Sequence, residues 1–263
     1  MPFVTSAGAK VHFFDSEGTG PAVVLGHAFL MDHEMFAKQV AALAPKYRVI
    51  SIDARGHGLT EHDDSAFSFW DLARDAWAVL DRLGIDRVVV GGAGQGGYTA
   101  LRMALLCPPR VDGLILLGCS ARAYSEVQRI GYRQVTDAWT GTAPLAAIAK
   151  MVAGLVIGGD RADHQPWLAK WLSGDRERVA AAADCLVNVD DITDLLGDIA
   201  CPALLARGAA DPAFDHDTMD ALAQGLGGRV EFHTVEGAAH TPNLTHAREI
   251  DRLMLEFLAR LGR

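Results

Sequence analysis

The chain is 263 residues long and half hydrophobic, with 33 Asp and Glu against 24 Lys and Arg, for a formal charge of −9. That length and apolar fraction suffice for an α/β domain with a sizeable core. The acidic balance, with Lys and Arg scattered singly, lacks the basic stripe that a phosphate backbone demands, so nucleic acid is not an expected partner.

Cys107, Cys119, Cys185 and Cys201 are too sparse for a disulfide framework and form no CxxC pair, and are expected as reduced thiols. The first residues, Met1-Pro2-Phe3-Val4-Thr5, lack a basic segment followed by an apolar one. No apolar run approaches the roughly 20 residues of a membrane span. A cytoplasmic protein with no membrane partner is the expectation.

In chain order, Val11 to Phe14 and Ala22 to Leu25 read as strands joined through Glu17-Gly18-Thr19-Gly20-Pro21, which predicts an opening antiparallel hairpin. Arg48 to Asp53 is the next strand. A helix follows from Ser68 to Leu83, with Leu72, Ala76, Val79, Leu80 and Leu83 at helical spacing and Gly84 as its stop. Arg87 to Gly91 and Leu114 to Gly118 are strands. Between Ala121 and Gly197 the rhythm changes to helical runs without a clear strand, which predicts a helical cap (residues 121–197) inserted into a core made of residues 1–120 and 198–263. Strands resume with Ala203 to Arg207 and Val230 to Val235, and a last amphipathic helix runs from Thr245 to Leu261. Short apolar runs alternating with longer amphipathic ones predict an α/β fold, a mostly parallel sheet with helices on both faces.

The stretch Gly91-Gly92-Ala93-Gly94-Gln95-Gly96-Gly97-Tyr98 poses the functional question. It satisfies G-x-G-x-x-G, a dinucleotide-binding turn, yet that motif needs an acidic residue at the end of the following strand, where Cys119-Ser120-Ala121 stand instead. It also satisfies G-x-S-x-G with glycine in the serine's place. The strand, sharp turn and helix of a nucleophile elbow are all present except the attacking oxygen.

Four further segments lie at the ends of expected strands: Leu25-Gly26-His27-Ala28-Phe29, Asp53-Ala54-Arg55-Gly56-His57-Gly58, Arg207-Gly208-Ala209-Ala210-Asp211-Pro212, and Glu236-Gly237-Ala238-Ala239-His240-Thr241-Pro242-Asn243. With the elbow, they make the sequence resemble the α/β-hydrolase family over nearly its whole length, serine esterases and enol-lactonases in particular. The resemblance implies an α/β-hydrolase fold with an eight-stranded sheet. It also implies a Ser-His-Asp triad in which Gly94 stands at the nucleophile position, Asp211 is the orienting acid and His240 the general base. Backbone N–H groups of Phe29 and Gln95 would form the oxyanion hole. His27 would brace its loop, and the Asp53 segment would be scaffold. Asp215 and Asp217 are neighbours of Asp211 in sequence, and Asp215 is expected as a helix N-cap.

Glycine cannot attack a carbonyl, and loss of the nucleophile costs serine hydrolases on the order of 10⁶ in turnover. Two readings follow. In one, the chain is a hydrolase of carboxylic esters or lactones whose nucleophile has been replaced, leaving an inactive form able to trap substrate. In the other, it is a natural ligand-binding protein or receptor on a hydrolase scaffold. An aspartate nucleophile, as in the family's dehalogenases and epoxide hydrolases, is absent too. The family's perhydrolases, C–C hydrolases and cofactor-free lyases share these motifs.

The expected ligand is a small, hydrophobic, uncharged ester or lactone, held by Phe29 and by members of the insertion such as Tyr124, Tyr132, Trp139 and Trp167, most of which would be packed in its interior. No cofactor is expected. Metal is not expected either, since the spacing of the histidines suggests no ligand cluster. Nothing in the sequence opposes a homo-oligomer.

Overall fold

A computed structural model describes residues 2–63 and 65–262. Met1 and Arg263, the outer ends of the expected core segments, lie outside them.

In chain order the elements are β1 (Phe3–Ser6), β2 (Ala9–Asp15), β3 (Ala22–Gly26), α1 (Ala37–Leu43), β4 (Arg48–Ile52), β5 (Glu61–His62), α2 (Phe69–Arg82), β6 (Val88–Ala93), α3 (Gln95–Leu106) and β7 (Val111–Leu117). Then come α4 (Glu126–Thr140), α5 (Leu145–Val152), α6 (Arg161–Ser173), α7 (Ala180–Val187), β8 (Ala203–Gly208), α8 (His216–Gly225), β9 (Val230–Val235), α9 (Pro242–Thr245) and α10 (Ala247–Arg260). Eight strands form one sheet in the order β1-β2-β4-β3-β6-β7-β8-β9, and the two-residue β5 pairs with β2.

The predicted opening hairpin is corrected here. β2 pairs antiparallel with β4, Phe13 opposite Ile52, while β3 lies on the other side of β4 and runs parallel to it, Val23 opposite Val49. β4 thus inserts between the two runs expected to pair. Its Val49-Ile50-Ser51-Ile52 is buried throughout, as a strand flanked on both sides must be. The hairpin that does open the chain joins β1 and β2, Val4 opposite Val11.

The central strands separate two cores by alternation. In β6, Val88 and Val90 pack against Leu80 and Leu101, whereas Val89 and Ala93 point to the opposite face with Met254 and Phe257. α2 begins where Ser68 caps it, accepting from the backbone N–H of Asp71 as the Asp71 carboxylate accepts from that of Ser68. Gly96 lets α3 lie against β3, since a Cβ there would meet the Gly26 carbonyl oxygen at 1.9 Å. Close strand–helix packing thereby accounts for one glycine of the run that mimics a nucleotide turn.

Strand order reverses between β3 and β6, so the loops leaving their C-terminal ends diverge and open a crevice. Phe29 follows β3 and Gly94 follows β6. Helices α4 to α7 fill the interval between β7 and β8.

Candidate active site

Gly94 is the residue before α3, at φ 51 and ψ −114. Its N–H donates to the carbonyls of Leu117 and Gly118, at 3.0 and 3.1 Å, which fixes the turn against the end of β7. A Cβ at this position would stand 2.9 Å from Nε2 of His240. The bare α-carbon and the imidazole therefore face one another directly.

The other ring nitrogen of His240, Nδ1, lies 3.0 Å from Oδ2 of Asp211, and both side chains are buried. Oδ1 of Asp211 accepts from the backbone N–H groups of Ala213 at 2.8 Å and Phe214 at 3.3 Å. Burial by itself would raise the Asp211 pKa, but the His240 ring and these two N–H groups outweigh it and hold the carboxyl below its usual value. An ionised Asp211 requires a proton on Nδ1 and leaves Nε2 as the acceptor that faces Gly94.

Two features absent from the sequence reading position this pair. Gly118, at φ 47, leaves space for it: a Cβ there would meet Asp211 Oδ2 at 2.9 Å and His240 Nδ1 at 3.1 Å. The π-helical turn at Ala153–Ile157 presents the Val156 carbonyl, which accepts from both N–H and Oγ1 of Thr241, each at 3.1 Å. The insertion thereby fixes the residue next to His240.

On the opposite side, among the described residues, the backbone N–H groups of Phe29 and Gln95 have no protein acceptor. The Phe29 loop is braced by two imidazoles. His27 places Nδ1 2.8 Å from the Ala28 carbonyl and accepts the Ala54 N–H on Nε2 at 3.0 Å. His57 places Nδ1 3.0 Å from the Arg55 carbonyl and accepts the Leu30 N–H on Nε2 at 3.1 Å. Each set of partners assigns the neutral, Nδ1-protonated tautomer. Burial pushes the His57 pKa down to about 3 and lowers that of His27 as well.

A cavity of about 450 Å³ opens at Gly94 and His240. Phe29, Tyr124 and Tyr132 line it, as expected. Trp139 and Trp167 do not, which corrects the sequence expectation: they belong to the apolar core beneath, where Trp139 packs edge-on against Trp171 at 5.3 Å between ring centroids. Trp171 is the tryptophan that reaches the cavity, together with Tyr98 and Phe214. Tyr98 was legible in principle, since four residues after Gly94 a helix presents the same face.

Among the described residues, no Lys, Arg, Asp or Glu lines the cavity. Asp215 caps α8 through the Thr218 N–H at 2.8 Å, and stays out of the cavity.

The expectation that the histidines form no ligand-type cluster fails at one place. His12 and His33 converge on Asp53, with ligand-type atoms all within 4.8 Å. The carboxylate is already fully engaged there: Oδ2 takes His12 Nδ1 at 2.8 Å and the Leu59 N–H at 2.9 Å, and Oδ1 takes the His33 N–H at 2.7 Å and Nδ1 at 2.9 Å. Hydrogen bonding accounts for the whole arrangement. Arg55 of the same segment makes a buried two-pronged pair with Asp75, at 2.7 and 2.9 Å, and ties the loop to α2.

The sheet order, the elbow and the facing acid–base pair define an α/β-hydrolase architecture, and residues 21–151 match the family model described as alpha/beta hydrolase fold. The chain belongs to the α/β-hydrolase fold family. It is similar to 3-oxoadipate enol-lactonase 1 of Acinetobacter baylyi, at 28% identity over 73% of this chain and 72% of that one. Among solved structures it is similar to a thermophilic esterase from Thermogutta terrifontis, at 27% identity and a TM-score of 0.90 over 100% of this chain and 99% of that one. It is likewise similar to the enol-lactonase of Burkholderia xenovorans LB400, at 25% identity and a TM-score of 0.86 over 98% and 100%.

Proposed function

We propose that the chain carries the apparatus of a carboxylic ester or lactone hydrolase in which Gly94 occupies the nucleophile's place, so that it binds and orients such a substrate without forming an acyl-enzyme. The observation that carries this reading is the 2.9 Å approach of His240 Nε2 to the position a Gly94 Cβ would take. In a serine form of this site, His240 takes the hydroxyl proton as the oxygen attacks the carbonyl carbon. Asp211 stabilises the imidazolium, and the N–H groups of Phe29 and Gln95 receive the oxyanion. The proton then passes to the departing alkoxide, and a water activated by the same imidazole opens the ester.

The helical segment 121–197 acts as a cap over this centre, on a core of 1–120 and 198–263. The uncharged cavity favours a small hydrophobic ester or lactone, because a carboxylate or ammonium group held there would be desolvated without a partner. The relatives' names point to the same bond classes. A second reading, a ligand-binding protein that never acylates, rests on Gly94 itself.

Hydrolysis assays on Gly94→Ser separate the two. With p-nitrophenyl butyrate and a panel of γ- and δ-lactones, we expect a rise over the parent chain on the order of 10³-fold or more, lost again in Gly94→Ser/His240→Ala. A Gly94→Ser protein that is folded yet inert across the panel overturns the hydrolase reading and leaves the binding one.

A further inference from the structure

Three phenols meet in the wall of the cavity. Tyr124 and Tyr132 stack at 4.6 Å between ring centroids, and Tyr98 stands edge-on to Tyr124 at 6.3 Å. All three line the space that Gly94 and His240 open onto. The Tyr98 ring is fully buried, and its hydroxyl has no hydrogen-bond partner. A buried hydroxyl left in that state costs free energy, so such groups in folded proteins ordinarily have a partner. Tyr124 is near enough to Tyr98 and Tyr132 for the three hydroxyls to influence one another. Tyr124 lies within hydrogen-bonding range of both neighbours, yet no bond of full geometry reaches the Tyr98 hydroxyl.

Burial raises the pKa of each phenol, so all three are neutral O–H donors at neutral pH. Donors in an apolar wall call for an acceptor. With no Lys or Arg in the lining among the described residues, an anionic acceptor would be poorly compensated, whereas a ketone, ester or ether oxygen would be matched.

We propose that Tyr98, with Tyr124 and Tyr132 beside it, forms a subsite that receives an uncharged oxygen acceptor carried on the apolar body of the ligand, separate from the ester group held at Gly94 and His240. Tyr98 sits four residues along α3 from Gly94, about 6 Å of helix rise, so the acceptor lies a few bonds from the scissile carbonyl. The subsite rests on the reading of this cavity as an ester or lactone site. It predicts oxo-substituted esters or lactones as the preferred class over plain hydrocarbon ones.

The test is equilibrium binding to the chain as it stands, by titration calorimetry, of phenyl hexanoate and its 3-, 4- and 5-oxo analogues. At least one oxo ester should bind roughly 3- to 10-fold more tightly than phenyl hexanoate, the worth of one satisfied hydrogen bond. That ratio should fall to about one in Tyr98→Phe, with Tyr132→Phe as a second variant and thermal melts to verify folding. A purely structural role for Tyr98 would weaken all four ligands alike and keep the ratio, which overturns the proposal. Phenyl hexanoate binding with no oxo preference in the parent chain sinks the subsite alone. Failure of all four esters to bind removes the ester-site reading and the subsite with it.

Discussion

At φ 51 the Gly94 backbone lies where side chains are disfavoured, and the imidazole of His240 has closed on the place a Cβ would take. Gly→Ala at an unstrained site ordinarily stabilises by about 0.4–1 kcal/mol through the unfolded state. At Gly94 the sign should reverse, with Gly94→Ala lowering stability by about 1–3 kcal/mol in urea unfolding. The double variant Gly94→Ala/His240→Ala should cost less than the sum of the two singles, because part of the penalty is the 2.9 Å contact itself. An alanine that leaves the urea midpoint unchanged would show that the turn carries no strain. The same contact means that a serine at position 94 must displace the ring by a few tenths of an ångström before the acid–base pair can work.

At the scale of elements, polar ties hold the insertion to the core at several places, and Asp190 beyond α7 gathers three of them. Arg102, wholly buried on α3, reaches the Asp190 carboxylate at 2.6 Å and its carbonyl at 2.9 Å, while Trp70 Nε1 donates to the same carboxylate at 2.9 Å. Removing the carboxylate leaves the guanidinium with the backbone carbonyls of Asp190 at 2.9 Å and Tyr98 at 3.1 Å and the faces of Phe69 and Trp70. Breaking a fully buried pair costs about 3–5 kcal/mol. The Asp190 side chain is 46% exposed, and solvent screening brings the expected loss for Asp190→Ala to about 1–3 kcal/mol, read from the urea midpoint. An Asp190→Ala midpoint equal to that of the parent would place the anchoring in the apolar contacts of α4 to α7 instead. The π-helical turn is a second tie, which couples the insertion to Thr241, one residue from the imidazole, and Lys170 to Asp32, Trp171 to the Leu30 carbonyl and Arg178 to the Gly58 and Thr60 carbonyls add others.

For the molecule as a whole, the two imidazoles bracing the Phe29 loop set an acid limit. Folded His57 titrates near 3 and His27 is also lowered, while both would titrate near 6.5 in the unfolded chain. Between those values the unfolded state binds more protons, so stability falls as pH drops below about 6.5. His33 works in the opposite direction. Its pKa is raised by its bond to Asp53, so its contribution is complete below about 6.5 and fades as pH rises through the higher folded value. Urea midpoints against pH should therefore peak near 6.5, with the acid limb flattened in His57→Gln; a midpoint that keeps rising down to pH 5 would contradict this assignment. Much of the architecture was legible in the sequence because it is local. The continuous apolar run of β6, the helix start at Ser68 and the helical run up to Gly84 depend on nearest neighbours, and the order elbow, Asp211, His240 places chemistry-bearing residues at strand ends. The sequence by itself determined that such a family scaffold would be built and that its nucleophile position would be bare. Only the tertiary structure decided which strand separates β2 from β3, that Trp171 rather than Trp139 or Trp167 reaches the cavity, and that His12 and His33 share Asp53. Those outcomes depend on contacts between residues far apart in sequence, which periodicity along the chain does not encode.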